Sequence, residues 1–274
     1  MASLNKITTG ADIDTFNISA GINTVKTGKG NDIINITGGY NTITSSSLER
    51  QKAIFTVTDG VNTLKGGSGA DKFVIKDDFY IDEEDIEHHT YGGKNYLNGG
   101  KGNDLYQVDK DVYKNSSVQI NDKYGSNTLV INEKLDVFFD VKLNKKTQKY
   151  TIGKTVTFTD GFDSNNDGVF DIKSLDTGVT VTGKNANTIA YVIVDVDNEG
   201  GDKDYRYRFD VIKLASDVAS WLSTTKYSST MAVFDSGNKD DINSLLTVYK
   251  GDGGVTDLGS EQCYINGVDI TPYV

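Results

Sequence analysis

The chain has 274 residues, 36% of them hydrophobic, a formal net charge of −11 and one cysteine, Cys263. That length has room for one large domain or two modest ones with a sizeable core; the acidic balance disfavours nucleic acid and anionic membrane, which need a cationic surface to displace counterions, and a lone cysteine excludes an internal disulfide or a cysteine-built metal site. No stretch approaches the ~20 apolar residues of a membrane span, and residues 1–20 lack the basic-then-apolar layout of a cleaved secretory signal.

The N-terminal half keeps a nine-residue beat. Asp14, Asn23, Asp32 and Asn41 stand nine apart, and two residues after each comes an apolar or aromatic one: Phe16, Val25, Ile34 and Ile43. The beat returns at Asn62 and Asp71 with Leu64 and Phe73, at Asn95 and Asp104 with Leu97 and Tyr106, and at Asn127 with Leu129. Twenty-nine glycines and a single proline favour many tight turns over a stiff linker. A period of this kind predicts a solenoid, in which a short strand points its apolar side chain inward and two nine-residue units make one coil.

The turn segments read GKGNDII from Gly28, KGGSGADKFVI from Lys65 and NGGKGNDLYQV from Asn98. They resemble the glycine-glycine-x-glycine-x-aspartate-x-apolar-x repeat of the RTX (repeats-in-toxin) family over residues 9 to 131. The resemblance implies a mainly β chain, built as a calcium-stabilised parallel β-roll over residues 1–131. It also implies several bound Ca2+ ions, with ligands from Asp12, Asp14, Asp32, Asp71 and Asp104 and from turns holding Gly28, Gly30, Gly67, Gly69, Gly100 and Gly102.

The beats alternate between aspartate and asparagine, so carboxylates are expected on one edge and the amides of Asn23, Asn41, Asn62, Asn95 and Asn127 on the other. Calcium affinity rises with the number of charged oxygen ligands. Strong sites are therefore expected on the aspartate edge. On the asparagine edge, weak sites or a hydrogen-bonded amide ladder are expected. A metal-free glycine-rich solenoid is the competing reading, and it leaves stacked carboxylates repelling one another with no cation between them.

Two segments interrupt the beat. Residues 45–57 carry a serine run and a helix-like stretch. Residues 76–90 hold His88 and His89 beside Glu83, Glu84, Asp85 and Glu87, and read as an exposed acidic loop without the His-Glu-x-x-His spacing of a zinc helix.

Beyond residue 131 the pattern changes to β segments, read as an antiparallel capping domain over 132–274, with a few short helices at about 216–248. Ser216, Ser229 and Asp240 serve as candidate helix N-caps. Two acidic loops are further calcium candidates. Asp163, Asn165, Asp167 and Asp171 begin an EF-hand-like spacing that ends on Ser174 rather than glutamate, and Asp195, Asp197 and Asp202 surround a Gly-Gly turn.

No Gly-x-Ser-x-Gly elbow or zinc-protease spacing occurs, so a non-enzymatic module is expected. The family resemblance implies a secreted or cell-surface protein, such as a surface-layer protein, adhesin or toxin. Its tail would be read by type I secretion machinery, and its partners would be calcium and either cell-surface polysaccharide or further copies of itself. The alternatives are the folding domain of an exported protease, lipase or epimerase, and a glycan-binding solenoid.

Overall fold

The computed structural model describes residues 4–45, 48, 51–109, 112, 117–131, 135–138, 140–152, 155–160, 178–182, 189–196, 205–224, 231–235, 264–265 and 268–269. The chain falls into two compact units, Met1–Ile131 and Asn132–Val274.

The first unit is a parallel β-solenoid of about 6 turns. Its strands are β1 (Leu4–Thr8), β2 (Thr15–Ile18), β3 (Ile22–Lys26), β4 (Ile33–Thr44), β5 (Ile54–Gly67), β6 (Lys72–Ile75), β9 (Lys94–Gly100), β10 (Leu105–Val108), β11 (Ser117–Ile120) and β12 (Asn127–Ile131). Two parallel sheets result. One stacks β1, β3, the second half of β4, the second half of β5, β9 and β11. The other stacks β2, the first halves of β4 and β5, β6, β10 and β12. Each coil takes one strand from each sheet, from coil 1 (β1 and β2) to coil 6 (β11 and β12).

Side chains alternate along every strand because successive Cβ atoms point to opposite faces of a sheet. The inward set forms columns: Val25, Ile43, Leu64, Leu97 and Ile120 in the first sheet, and Ile34, Phe55, Phe73, Tyr106 and Leu129 in the second, all buried. Aromatic rings continue the second column as a stack. Phe55 and Phe73 lie 4.8 Å apart at 1°, and Phe73 and Tyr106 lie 5.1 Å apart at 10°.

The coil repeat is not constant. Partners one coil apart are separated by 18 residues at Asn23 and Asn41, 21 at Asn41 and Asn62, 33 at Asn62 and Asn95, and 23 at Asp104 and Asn127. The first interruption is therefore only a three-residue excess within coil 3. Ala53, Phe55 and Val57 are fully buried, and β5 begins at Ile54, so the helix-like reading of this stretch gives way to strand. The second interruption is an exposed hairpin of β7 (Phe79–Ile81) and β8 (Glu87–His89), turned by Asp82–Ile86.

In the second unit the described strands pair antiparallel, apart from one parallel contact at Asp136 and Tyr264. β13 (Leu135–Phe138) pairs with β16 (Thr155–Asp160), which pairs in turn with β17 (Gly178–Thr182). β18 (Ile189–Val196) pairs with β19 (Tyr205–Asp210). β14 (Asp140–Asn144) lies between β15 (Lys149–Ile152) and β20 (Met231–Asp235).

The helix α1 (Val211–Thr224) buries Ala215, Val218, Ala219 and Leu222 along one face, and its Trp221 meets Phe234 edge-on at 6.1 Å. It starts five residues ahead of the expected cap at Ser216. The stretch around Met231, expected to be helical, is strand β20. Its burial alternates, with Ala232 and Phe234 inward and Met231, Val233 and Asp235 outward, which is a two-residue period. Residues 229 and 240, the other expected caps, lie outside the described residues.

Candidate metal centre

The two edges of the solenoid carry different chemistry. On the edge entering the first sheet, asparagines form a continuous ladder. Asn5 Nδ2 donates to Asn23 Oδ1 at 2.8 Å, Asn23 to Asn41 at 2.8 Å, Asn41 to Asn62 at 2.8 Å, and Asn62 to Asn95 at 2.9 Å. The Nδ2 groups of Asn23, Asn41, Asn62 and Asn95 also donate to the carbonyl three residues back: Ala20, Gly38, Asp59 and Gly92. These four amides are thus committed to one another and to the turn backbone, and all four are buried.

On the opposite edge, the corresponding position holds Asp14, Asp32, Ala53, Asp71, Asp104 and Asn127 in coils 1 to 6. From coil 2 onward, each acid commits one oxygen to the backbone of the preceding coil. Asp32 Oδ1 accepts from Asp14 N at 3.1 Å, Asp71 Oδ1 from Ala53 N at 2.6 Å, and Asp104 Oδ1 from Asp71 N at 2.7 Å. Asn127 Oδ1 does the same for Asp104 N at 2.9 Å, so Asn127 belongs to the aspartate column and not to the amide ladder where the alternation had placed it. The changed repeat length across coils 4 to 6 shifts its phase.

The second oxygens are different. Among the described residues, Oδ2 of Asp14, Asp32 and Asp104 is buried with no N–H donor, the Asp104 carboxyl lying instead against that of Asp122, whereas Asp71 Oδ2 accepts from Gly67 N at 2.7 Å. Burying an unpaired carboxylate oxygen is costly unless a cation or a proton reaches it.

The turn backbone closes tightly around these acids. A Cβ at Gly102 would overlap the Gly69 carbonyl oxygen, and one at Gly30 would overlap that of Asp12, at φ values of +123° and +139°. Only glycine tolerates both the contact and the conformation, and the carbonyls of Asp12 and Gly69 are left packed against the next coil. The column therefore offers hard oxygen donors alone, carboxylate and carbonyl, which suits calcium and not a soft metal.

Asp122, in the position that Gly99 occupies one coil earlier, adds a fully buried carboxylate that was not anticipated. Its Oδ2 accepts from the Tyr106 hydroxyl at 2.6 Å, and that hydroxyl accepts from Gly99 N at 2.7 Å. The alignment of NGGKGND at 98–104 with NDKYGSN at 121–127 is the sequence signal that reveals it.

Burial pushes the Asp104 carboxyl up to about 8, with the charges of Asp122 and Asp71 adding to the effect. Burial also raises Asp71, against the N–H bonds from Ala53 and Gly67, and raises the Tyr106 hydroxyl. The sign for stability follows from linkage. Folded Asp104 holds its proton up to about pH 8, whereas an unfolded aspartate releases it near about 3.9. Without a cation, the fold is favoured below the unfolded value and progressively loses that support as pH rises through about 8. Circular dichroism of the chelated protein is expected to show more β structure at about pH 5 than at about pH 8. An Asp104→Asn chain should lose most of that difference, and an unchanged difference would contradict this account.

At the hairpin, His88 Nε2 meets Asp82 Oδ2 at 2.7 Å, and His89 is held between Asp77 and, at 3.0 Å, Glu87. The His88 contact holds the Asp82 carboxyl below its ordinary range. Among the described residues no group of three or more His, Cys, Asp or Glu side chains converges as a ready metal cage.

Asp163, Asn165, Asp167, Asp171, Asp197 and Asp202 lie outside the described residues, and Asp195 is placed only as a position in β18. Comparison with known proteins finds no matching family model, no matching curated protein and no matching solved structure.

Proposed function

We propose that this chain is a calcium-binding module of a secreted, RTX-like protein, whose solenoid forms when calcium fills the aspartate edge. The observation carrying the reading is the contrast between edges: amides satisfied in a closed ladder on one side, buried carboxylate oxygens without N–H donors on the other.

The column divides the sites into two groups. Asp14 and Asp32 serve coils 1 and 2. Asp71 and Asp104, with Asp122, serve coils 4 to 6. Ala53 leaves coil 3 without a side-chain ligand in that column. Carboxylate and turn carbonyl oxygens would hold the ions, whose chemistry is to neutralise adjacent acids and tie one coil to the next. The antiparallel unit that follows is read as the cover that an open solenoid edge requires.

In a low-calcium cytosol such a chain stays unfolded and can be threaded outward. Calcium outside then binds the folded form alone and draws the chain into it by mass action. The module acts in export and in attachment or assembly at a cell surface, as a binding element rather than an enzyme.

Calcium titration by calorimetry tests the edge assignment. Asp71→Asn retains the Oδ1 acceptor for Ala53 N and removes the charge, so affinity should fall on the order of tenfold. Asn23→Ser on the other edge, measured where circular dichroism shows the chain folded, should leave affinity within about twofold. Equal losses at the two positions would refute the assignment.

A further inference from the structure

We propose that the outer face of the first solenoid sheet, together with the groove at its aspartate edge, is a binding site for an acidic polysaccharide. Outward strand positions on that face carry Lys6, Lys26, Lys65 and Lys94, all exposed, and no carboxylate, whereas the other sheet presents only Lys72. Two further exposed lysines, Lys101 and Lys123, stand on the turns of coils 5 and 6. Among the described residues none of these six side chains pairs with an acid, in a molecule whose formal charge is −11. The outward strand positions of this face carry lysines and no acid, with Asp59 at the rim beside Lys94, a bias that solubility does not explain.

Lys26 and Lys65 occupy one outward column, in register through Thr44, and Lys101 and Lys123 stand on the adjoining turns of coils 5 and 6. With strands spaced by about 4.8 Å, these lysines of coils 2, 4, 5 and 6 spread over roughly 20 Å along the solenoid axis. A groove of about 370 Å³ lies along part of this span, lined by Lys65, Ser68, Asn98, Lys101, Lys123 and Tyr124.

This combination favours a glycan over other anions. The Tyr124 ring is 56% exposed and can stack on a sugar, Ser68 and Asn98 offer hydroxyl and amide partners, and the lysines meet carboxylate or sulfate groups repeated along a chain. Nucleic acid also carries repeated anions, and the formal charge of −11 opposes both polyanions alike, so the preference for a glycan rests on Tyr124, Ser68 and Asn98 beside the lysines. An acidic polysaccharide would be the partner in the surface-attachment role above, yet the lysines and the groove do not depend on calcium being the metal.

Affinity electrophoresis of the full chain at saturating calcium, through gels holding dextran sulfate, neutral dextran or duplex DNA, tests it. Retardation by dextran sulfate alone is expected. In the combined Lys65→Gln, Lys101→Gln and Lys123→Gln chain, affinity should fall roughly tenfold or more and become less sensitive to salt. Lys72→Gln, on the other sheet, should behave as the parent does, and circular dichroism of each chain verifies that it is folded. No retardation by dextran sulfate, equal retardation by DNA, or a triple variant that binds like the parent would each overturn the proposal. If the chain proves folded in chelator, the same gels run without calcium decide between these outcomes, so failure of the calcium reading is distinguishable from failure of this one.

Discussion

Exhaustive chelation of calcium at neutral pH is expected to abolish most of the β signal of the purified chain and its cooperative thermal transition, and restored calcium should return both. Ordering a residue's backbone costs about 1–2 kcal/mol, and glycine, frequent in these turns, costs most. Against this each coil buries only a few apolar side chains, such as Ile34, Ile36 and Ile43 around coils 2 and 3. The acids tip the balance. Asp32, Asp71, Asp104 and Asp122 are almost wholly buried, and unneutralised they oppose the fold that buries them. Calcium that binds only the folded form adds about 4 kcal/mol at a thousandfold excess over its dissociation constant, for each site. The measurement is circular dichroism with and without chelator, and an unchanged melting curve would defeat the proposed function.

Asn62→Leu in the calcium-saturated chain is expected to cost roughly 3–5 kcal/mol of unfolding free energy, whereas Asn35→Leu should cost less than about 1 kcal/mol. Both residues make side-chain amide bonds of similar length to a neighbouring coil, 2.9 Å for Asn62 to Asn95 and 2.9 Å for Asn35 to Asn17. Their surroundings differ. Asn62 is fully buried, and removing its amide takes the Asn62 donor from buried Asn95 Oδ1, leaves buried Asn41 Nδ2 with only the Gly38 carbonyl, and releases the part-buried Asp59 carbonyl. Each orphaned buried group costs about 1–3 kcal/mol. The Asn35 bond is exposed, so water replaces it. Denaturant unfolding with an unchanged slope measures the two costs, and similar small losses at both positions would show that the ladder contributes specificity rather than stability.

The solenoid was legible because a nine-residue beat and the two-residue alternation of a strand constrain the same positions. Phe16, Val25, Ile34 and Ile43 had to share an interior. Where the marker residue changed, the beat became invisible. Ala53 stands in the aspartate column without an acid to announce it, so a buried strand read as an interruption. Asn127 kept the expected residue type but not the expected edge, because coils of 33 and 23 residues reset the phase. The stretch at 231–235 read as helix because its apolar residues are nearly continuous, and only burial reveals that Ala232 and Phe234 alone face inward.

Residue order by itself determined the parallel coil, the inward apolar columns, and the separation of acids from amides onto two edges, since local spacing dictates where each Cβ points. Only the tertiary structure decided which polar groups are satisfied. Four asparagines close on one another, three aspartates bury an oxygen with no N–H donor, and Asp122 arrives beside Tyr106 and Asp104 from the following coil. Along the amide ladder these relations join residues 18 to 33 positions apart, and burial, which sets their energies, exists only once the coils are stacked.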